Sequence, residues 1–317
     1  MCSEIMFSET VQPSAYESRK AWLDHLTEIG RSHGFFERLG QHHSALYVQE
    51  GSTLLVTFDE AGRVYRQTKD GLPLGFDAVQ RREWSLLNIM ASGQSWFRDA
   101  NLYRFFDRLV DEDFFDDFDQ VIFLGAGPMC GYAACAYSVV SPGARVLSLS
   151  PAATLDREDA PFEMRFRAAR RLNFNDRYGY APYMLEGAEQ ATIVYDPHEP
   201  LGAAHAALYR GPNVQRVPMR WCGINLYPIL ESDGAIDRLV QATARGNLRP
   251  LRFAQITRNT RRNYPPYLFR LMTRALEKGH PDLARKVAVH GAKVTDDPRF
   301  AEQLKASEQV SEPAGVT

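Results

Sequence analysis

The sequence predicts an α/β protein: a mostly parallel sheet flanked by helices, with a helical appendage at its C-terminal end. Three observations point there. Val121-Ile-Phe-Leu-Gly-Ala-Gly-Pro-Met-Cys-Gly-Tyr-Ala-Ala-Cys-Ala136 reads as a buried strand, a tight glycine turn and a small-residue helix. Strand and helix patterns then alternate to about residue 219, as a parallel sheet with right-handed crossovers requires. After about Gly246 the pattern changes to apolar residues at helical spacing.

In chain order, residues 1–14 read as a flexible leader and 15–246 as the α/β domain. Residues 247–305 read as the helical appendage and 306–317 as a flexible tail. Tyr16 to Leu39 carries helix-spaced Trp22, Leu23, Leu26 and Ile29 and ends near Gly40. The stretches beginning at Ser44 and Ser52 form a hairpin-like pair around Gly51. Residues 59–82, polar and glycine-rich, read as a loop, and Trp84–Ala91 as a buried strand. Asn101–Asp111 is a helix. The acidic-aromatic run Asp111–Asp119 follows, and its carboxylates suit a solvated face better than an EF-hand, whose glycine and spacing it lacks. Then come strand 121–124, helix 131–140 and a strand from Arg145, followed by an arginine- and aromatic-rich excursion over 151–185. A strand ending in Asp196, a helix over Gly202–Tyr209 and a short strand near Val214–Met219 complete the sheet. Tyr264–Val289 is helical, broken at Gly279-His-Pro into a helical pair.

Composition sets bounds. A formal net charge of −2 over 317 residues argues against a phosphate-backbone binder. Cys2, Cys130, Cys135 and Cys222 have neither metal-ligand spacing nor a paired framework, which is thiol usage of a reducing compartment. Residues 1–18 lack the apolar core of a signal peptide and no run approaches 18 apolar residues. A cytoplasmic protein with no membrane span, no nucleic-acid partner, no metal and no cofactor is the expectation.

Gly127 and Gly131 have the spacing of the G-x-S-x-G nucleophile elbow, with Met129 where the serine would stand. A triad built on that elbow runs in the order serine, acid, histidine. Asp196 follows in the place of the acid, but Ile224 and Asn225 occupy the place of the G-H pair. A rearranged Cys130–His198 pair is the alternative nucleophile and base, set against Cys130 as a small buried helix residue.

Gly125–Ala134, Val146–Pro151 with its following Ala152-Ala-Thr-Leu-Asp, and the Tyr195-Asp-Pro and Ala204-His-Ala segments resemble α/β-hydrolase-like proteins of bacterial surface-polysaccharide loci. Those carry G-x-S-M-G-G-Y-A-A and a later G-H. From the N-terminal helix to about residue 245 the chain also resembles a group of alphaproteobacterial proteins often labelled phosphoadenosine phosphosulfate reductase. The matching stretches include Leu54-Leu-Val-Thr-Phe, Trp96-Phe-Arg-Asp, Phe105-Phe-Asp-Arg-Leu-Val-Asp, Arg177-Tyr-Gly-Tyr-Ala-Pro and His205-Ala-Ala-Leu. The label implies a cysteine in an E-C-G-[IL]-H motif. Trp221-Cys222-Gly223-Ile224-Asn225 echoes it without the glutamate or the histidine.

The glycine turn also admits a nucleotide or S-adenosylmethionine reading. That fingerprint wants an acid about 20 residues on, where this chain has only Ser148 and Ser150. His42-His43 reads as a surface pair. Arg165, Arg167, Arg170 and Arg171 read as a solvated cap helix, and Arg258, Arg261 and Arg262 as a linker or docking surface.

Two functions are expected from these residues. The first is a catalytically degenerate α/β-hydrolase-like protein that binds or scaffolds at a pocket near Gly125, Gly127, Met129, Tyr132 and Asp196. Its helices would contact a protein partner or a second copy. The second is an enzyme, using either a cofactor at the turn or a candidate cysteine, Cys130 or Cys222.

Overall fold

The computed structural model describes residues 16–311 apart from Lys69. The expected leader and Cys2 lie outside the described residues. The chain enters through α1 (Arg19–His33), capped where the Ser18 hydroxyl accepts from the Ala21 N–H at 3.1 Å. The helix stops short of its expected end because Gly34-Phe-Phe-Glu-Arg-Leu39 extends as β1 (Gly34–Leu39). This strand pairs antiparallel with β2 (His43–Val48), Phe36 opposite Leu46.

The stretches around Gly51 do not form a hairpin. β3 (Thr53–Glu60) is separated from β2 by β4 (Ser85–Ala91), which pairs with both. Ser85 occupies the polar groups a hairpin turn would have used. Its hydroxyl accepts from the Glu50 N–H at 3.0 Å and donates to the Gly51 carbonyl at 2.8 Å. The segment expected as a loop folds into α2 (Ala61–Gln67) and α3 (Phe76–Arg82). It is gathered by the buried Asp59 carboxylate, which accepts from the Leu74 N–H at 2.7 Å and the Asn88 amide at 3.0 Å.

From there the expected alternation holds. α4 (Ala100–Asp111) leads through a short 3-10 turn (Phe114–Asp117) to β5 (Gln120–Ala126) and α5 (Pro128–Tyr137). β6 (Arg145–Leu149), α6 (Ala181–Met184), β7 (Gln190–Tyr195), α7 (Pro200–Leu208) and β8 (Val214–Pro218) follow. Among the described residues eight strands form one sheet in the order β1-β2-β4-β3-β5-β6-β7-β8, with β2 alone running against its neighbours. The fold is α/β-hydrolase-like, a mostly parallel sheet flanked by helices.

Alternate residues of β3 show how the two faces are used. Leu54, Val56 and Phe58 face a first core shared with α4, α5 and the 151–185 excursion. Leu55 faces a second core, shared with α1, α2 and α3 and with α8 (Tyr227–Glu231), α9 (Ala235–Ala244) and α10 (Pro250–Ile256). A fully buried side chain of this size contributes about 1.5–3 kcal/mol. Because Leu248, Phe253 and Ile256 lie in this second core, the first helix after Gly246 belongs to the α/β body.

The separate helical layer has its own small core of Leu268, Met272, Ala284, Ala288 and Phe300. After the short α11 (Arg258–Asn263) it comprises α12 (Pro265–Glu277), α13 (Pro281–Val294) and α14 (Pro298–Ser311). α14 carries regular structure into the segment expected as a flexible tail. Among the described residues no helix is long and apolar enough to cross a membrane.

The tightest contact in the sheet gives a test. A Cβ on Gly125 would stand 2.1 Å from the Cys130 carbonyl oxygen, whereas one on Gly202 in α7 meets nothing closer than 3.7 Å. Gly125→Ala therefore destabilises by about 1–3 kcal/mol as an overpacked core site. Gly202→Ala stabilises by roughly 0.5–1 kcal/mol as an unhindered helix position. Urea denaturation of the two variants measures both.

Candidate functional site

The elbow is present, and its key residue is not the one the spacing selects. Gly127, between β5 and α5, has φ 87° and ψ 171°, a backbone region essentially restricted to glycine. Its N–H donates to the Leu149 carbonyl at 2.8 Å and its carbonyl accepts the first helical bond from Gly131 at 2.8 Å. Gly127 thus takes the nucleophile's place, and a Cβ built on it meets nothing within 4 Å. Met129 lies in the first turn of α5, buried, with its sulfur accepting from the Trp96 N–H at 3.3 Å. In a working elbow the residue after the nucleophile gives its N–H to the oxyanion hole. Here that residue is Pro128, which has none.

The remaining expected ligand residues are packed. Gly125 is closed off by the α5 backbone, and the Tyr132 hydroxyl, fully buried, donates to the Tyr178 carbonyl at 2.6 Å. Above them the 151–185 excursion forms a cap whose Phe166 and Phe174 rings meet Trp96. Arg98 pins the cap through the carbonyls of Asn173 at 2.8 Å and Arg177 at 2.7 Å. The four cap arginines do not share a helix. The chain there is turns with one short 3-10 segment (Ala169–Arg171). Arg165 and Arg170 bind inward to Glu163 and to the Glu163 and Ala160 carbonyls. Arg167 and Arg171 are exposed.

Under the cap lies an ionic cluster that sequence reading did not assemble. Glu163 and His205 are both completely buried, with His205 Nε2 2.9 Å from the Glu163 carboxylate. His205 Nδ1 accepts from the Ala153 N–H at 3.2 Å, so the ring proton sits on Nε2 and is donated to Glu163. Burial alone would raise the Glu163 pKa. The bonds from His205 and Arg165 outweigh it and hold the carboxyl down to about 2. Burial pushes the His205 pKa down, with Glu163 opposing.

The expected acid and its neighbours are together but engaged. The Asp196 carboxylate, buried, accepts from the backbone N–H groups of His198 at 2.9 Å and Gly223 at 2.7 Å. It therefore clamps the loop after β7 to the loop after β8. The His198 ring stacks flat on Trp221, centroids 3.4 Å apart, and Arg270 from α12 donates to the Trp221 carbonyl at 3.0 Å. Cys222 is buried against this clamp, and burial with Asp196 pushes its thiol up to about 12. Ile224, in the place of the triad histidine, is exposed.

Cys130 faces a different set of groups from His198. β3 and β5 pair with Phe58 opposite Gly125, so Asp59 and Glu60 stand beside the turn. Burial, then these two carboxylates, push the Cys130 thiol well above its ordinary value. Asp59 pairs with Arg63, whose guanidinium lies 4.4 Å over the Tyr227 ring, and the Tyr227 hydroxyl donates to Glu231 at 2.5 Å. Burial raises the pKa of both Glu60 and Glu231.

A cleft of about 420 Å³ opens beside this network, lined by Leu72, Phe76, Asp77, Tyr227, Glu231 and Asp237 among others. None of Gly125, Gly127, Met129, Tyr132 and Asp196 lines it. The Asp-x-x-x-Arg spacing directly after an apolar strand was the available signal for the network. Among the described residues no three potential metal ligands converge. His42 is exposed, but His43 is buried at the start of β2, 2.8 Å from the Ser95 hydroxyl, so the two are not a surface pair.

No protein-family model and no curated protein matches the chain. Solved structures do. A hyperthermophilic esterase from the archaeon Pyrobaculum calidifontis is similar at a TM-score of 0.43 and 14% identity, covering 73% of this chain and 92% of that one. Est1E from Butyrivibrio proteoclasticus has a TM-score of 0.41 and 12% identity over 66% of this chain and 97% of its own. Carboxyl esterase 2 from the mycorrhizal fungus Tuber melanosporum has 0.39 and 13% over 71% and 84%. Likenesses of this size carry nothing about activity.

Two buried histidines make stability depend on pH. Burial lowers the pKa of His205, and burial also lowers His43 to about 4, with Asp99 opposing. Both rings protonate more readily unfolded, so the unfolded state binds more protons below the ordinary value of 6.5. Stability is therefore full above about pH 6.5 and falls as the pH drops toward 4. Glu163, lowered to about 2, adds a further loss below its ordinary 4.5. Urea denaturation across this range shows the decline, and His43→Gln removes part of the slope between 6.5 and 4.

Proposed function

We propose that the chain is a catalytically degenerate α/β-hydrolase-like protein that works by binding or scaffolding. One observation carries this reading: the elbow holds Gly127 where a nucleophile would project and Pro128 where an oxyanion N–H would point. The acid place supports it, because Asp196 already holds two backbone N–H groups and orients no imidazole. The thiols of Cys130 and Cys222 are both pushed up by burial, the reverse of what a nucleophilic cysteine needs. The helical layer is the partner-binding part in this reading. Cell-surface carbohydrate is the ligand class suggested by the sequence resemblance of Gly125–Ala134 to polysaccharide-locus proteins.

The experiment combines reactivity with ligand screening. The protein is expected to show no turnover of p-nitrophenyl esters and no labelling by a fluorophosphonate probe. Gly127→Ser is expected to remain inactive for want of both a base and the Pro128 N–H. Turnover or labelling of the wild-type protein overturns the proposal. In parallel, melting temperatures are measured with S-adenosylmethionine, adenosine 3′-phosphate 5′-phosphosulfate and acidic and neutral oligosaccharides. A ligand at 100 times its dissociation constant adds about 2.7 kcal/mol. A rise with either nucleotide overturns the degenerate reading in favour of a cofactor site at the turn. A rise with an oligosaccharide supports carbohydrate binding.

A further inference from the structure

The charge of this chain is strongly segregated. Between Arg245 and Lys293 there are twelve lysines and arginines against only Glu277 and Asp282, a net charge of +10. With the whole chain at −2, the remainder carries −12. The structure gathers part of the excess into one strip. His290 Nε2 on α13 donates to the Arg262 carbonyl near the end of α11, at 2.9 Å, which ties the C-terminal half of α13 to the end of α11. Lys286 lies four residues before His290 and Lys293 three after, on the same face of α13. Arg258 lies four before Arg262 on α11. Arg258, Arg262, Lys286 and Lys293 are all exposed, and none joins an ion pair among the described residues.

The complement is on the same chain. The run from Asp111 to Asp119 carries six carboxylates, all exposed, and none joins an ion pair among the described residues. It is presented on a fixed turn, because Phe115 is buried in the first core and Phe114 and Phe118 pack against it. Little ordering entropy is therefore lost when it docks. Among the described residues no ion pair or hydrogen bond joins the run to the strip, so the two do not neutralise each other within one chain.

We propose that the basic strip of α11 and α13 docks the acidic run of a second copy of this chain, a head-to-tail contact. The near-zero net charge selects this occupant over an extended polyanion, which the −12 of the rest of the chain would repel while the strip attracted it. A second copy offers an acidic run to the strip and a basic strip to the run. The inference rests on the helical layer being the partner surface and is independent of whether the turn retains chemistry.

Sedimentation of the full chain tests it, from micromolar to hundreds of micromolar. In about 0.1 M salt, where the Debye length is about 10 Å, the weight-average mass is expected to rise about twofold or more with concentration. In about 1 M salt, where that length is about 3 Å, it is expected to stay at the monomer value. The double variants Arg258→Glu with Arg262→Glu, and Asp116→Lys with Asp117→Lys, are each expected to be monomeric in either salt. Far-ultraviolet circular dichroism and melting temperature are expected to be unchanged, since all four positions are exposed. An equimolar mixture of the two variants restores association, because each keeps the surface the other has lost. A wild-type protein that stays monomeric in low salt overturns the proposal, as does a variant that still associates or a mixture that fails to. A labelled single-stranded oligonucleotide is the last arm. Binding that depends on Arg258 and Arg262, without self-association, overturns it in favour of a nucleic-acid surface.

Discussion

The crossing of β5 and α5 constrains everything built around it. The strand and the helix approach so closely at Gly125 that no side chain fits between them, and the reversal at Gly127 uses a backbone region that side chains avoid. That contact sets α5 flat on the sheet. From Met129 to Tyr137 every residue of the helix is buried, sandwiched between the strands and the aromatic cap. The hydroxyls of Tyr132 and Tyr137 then have only cap and loop carbonyls to reach, those of Tyr178 and Phe97 at 2.6 Å each. The cap follows from the crossing, because it covers a helix that has no face left for water.

Two ionic clusters flank the turn on opposite faces of the sheet. Glu163 with His205 and Arg165 holds the cap to α7, and Asp59 with Arg63 holds the α2–α3 segment to the strand ends. Buried charges of this kind contribute little net stability but cost about 3–5 kcal/mol when one partner is removed. Their effect is to make the surrounding loops adopt one arrangement. The Asp196 clamp does the same for the loops after β7 and β8, on which the helical layer rests through Arg270.

The sheet was legible in the sequence where strands are buried on both faces. β3, β4, β5, β6 and β7 are predominantly apolar and buried, as central parallel strands must be. β1 was not, because Gly34–Leu39 mixes exposed and half-buried positions at the sheet edge and continues a helix without a break in pattern. α2 and α3 were missed because their order comes from Asp59 bonds that span 15 and 29 residues, which no local pattern carries. At the candidate site the glycine spacing located the turn but misplaced its centre. Residues 125, 127 and 131 admit two registers, and only the backbone dihedrals at Gly127 decide between them. The partnership of Glu163 with His205, 42 residues apart, left no trace in the sequence either.

Pro128 has a further consequence, for the mutational paths open to this chain. A glycine at the elbow is one substitution from serine, and since a Cβ on Gly127 meets nothing within 4 Å, the cost of that step is backbone strain at φ 87° and not a clash. Yet that serine would face a proline nitrogen carrying no hydrogen, and no imidazole stands on the clamped loop after β8. Three separate changes must coincide before any one of them is useful. On the proposed degenerate reading, selection acting on single steps therefore finds no uphill path to ester chemistry.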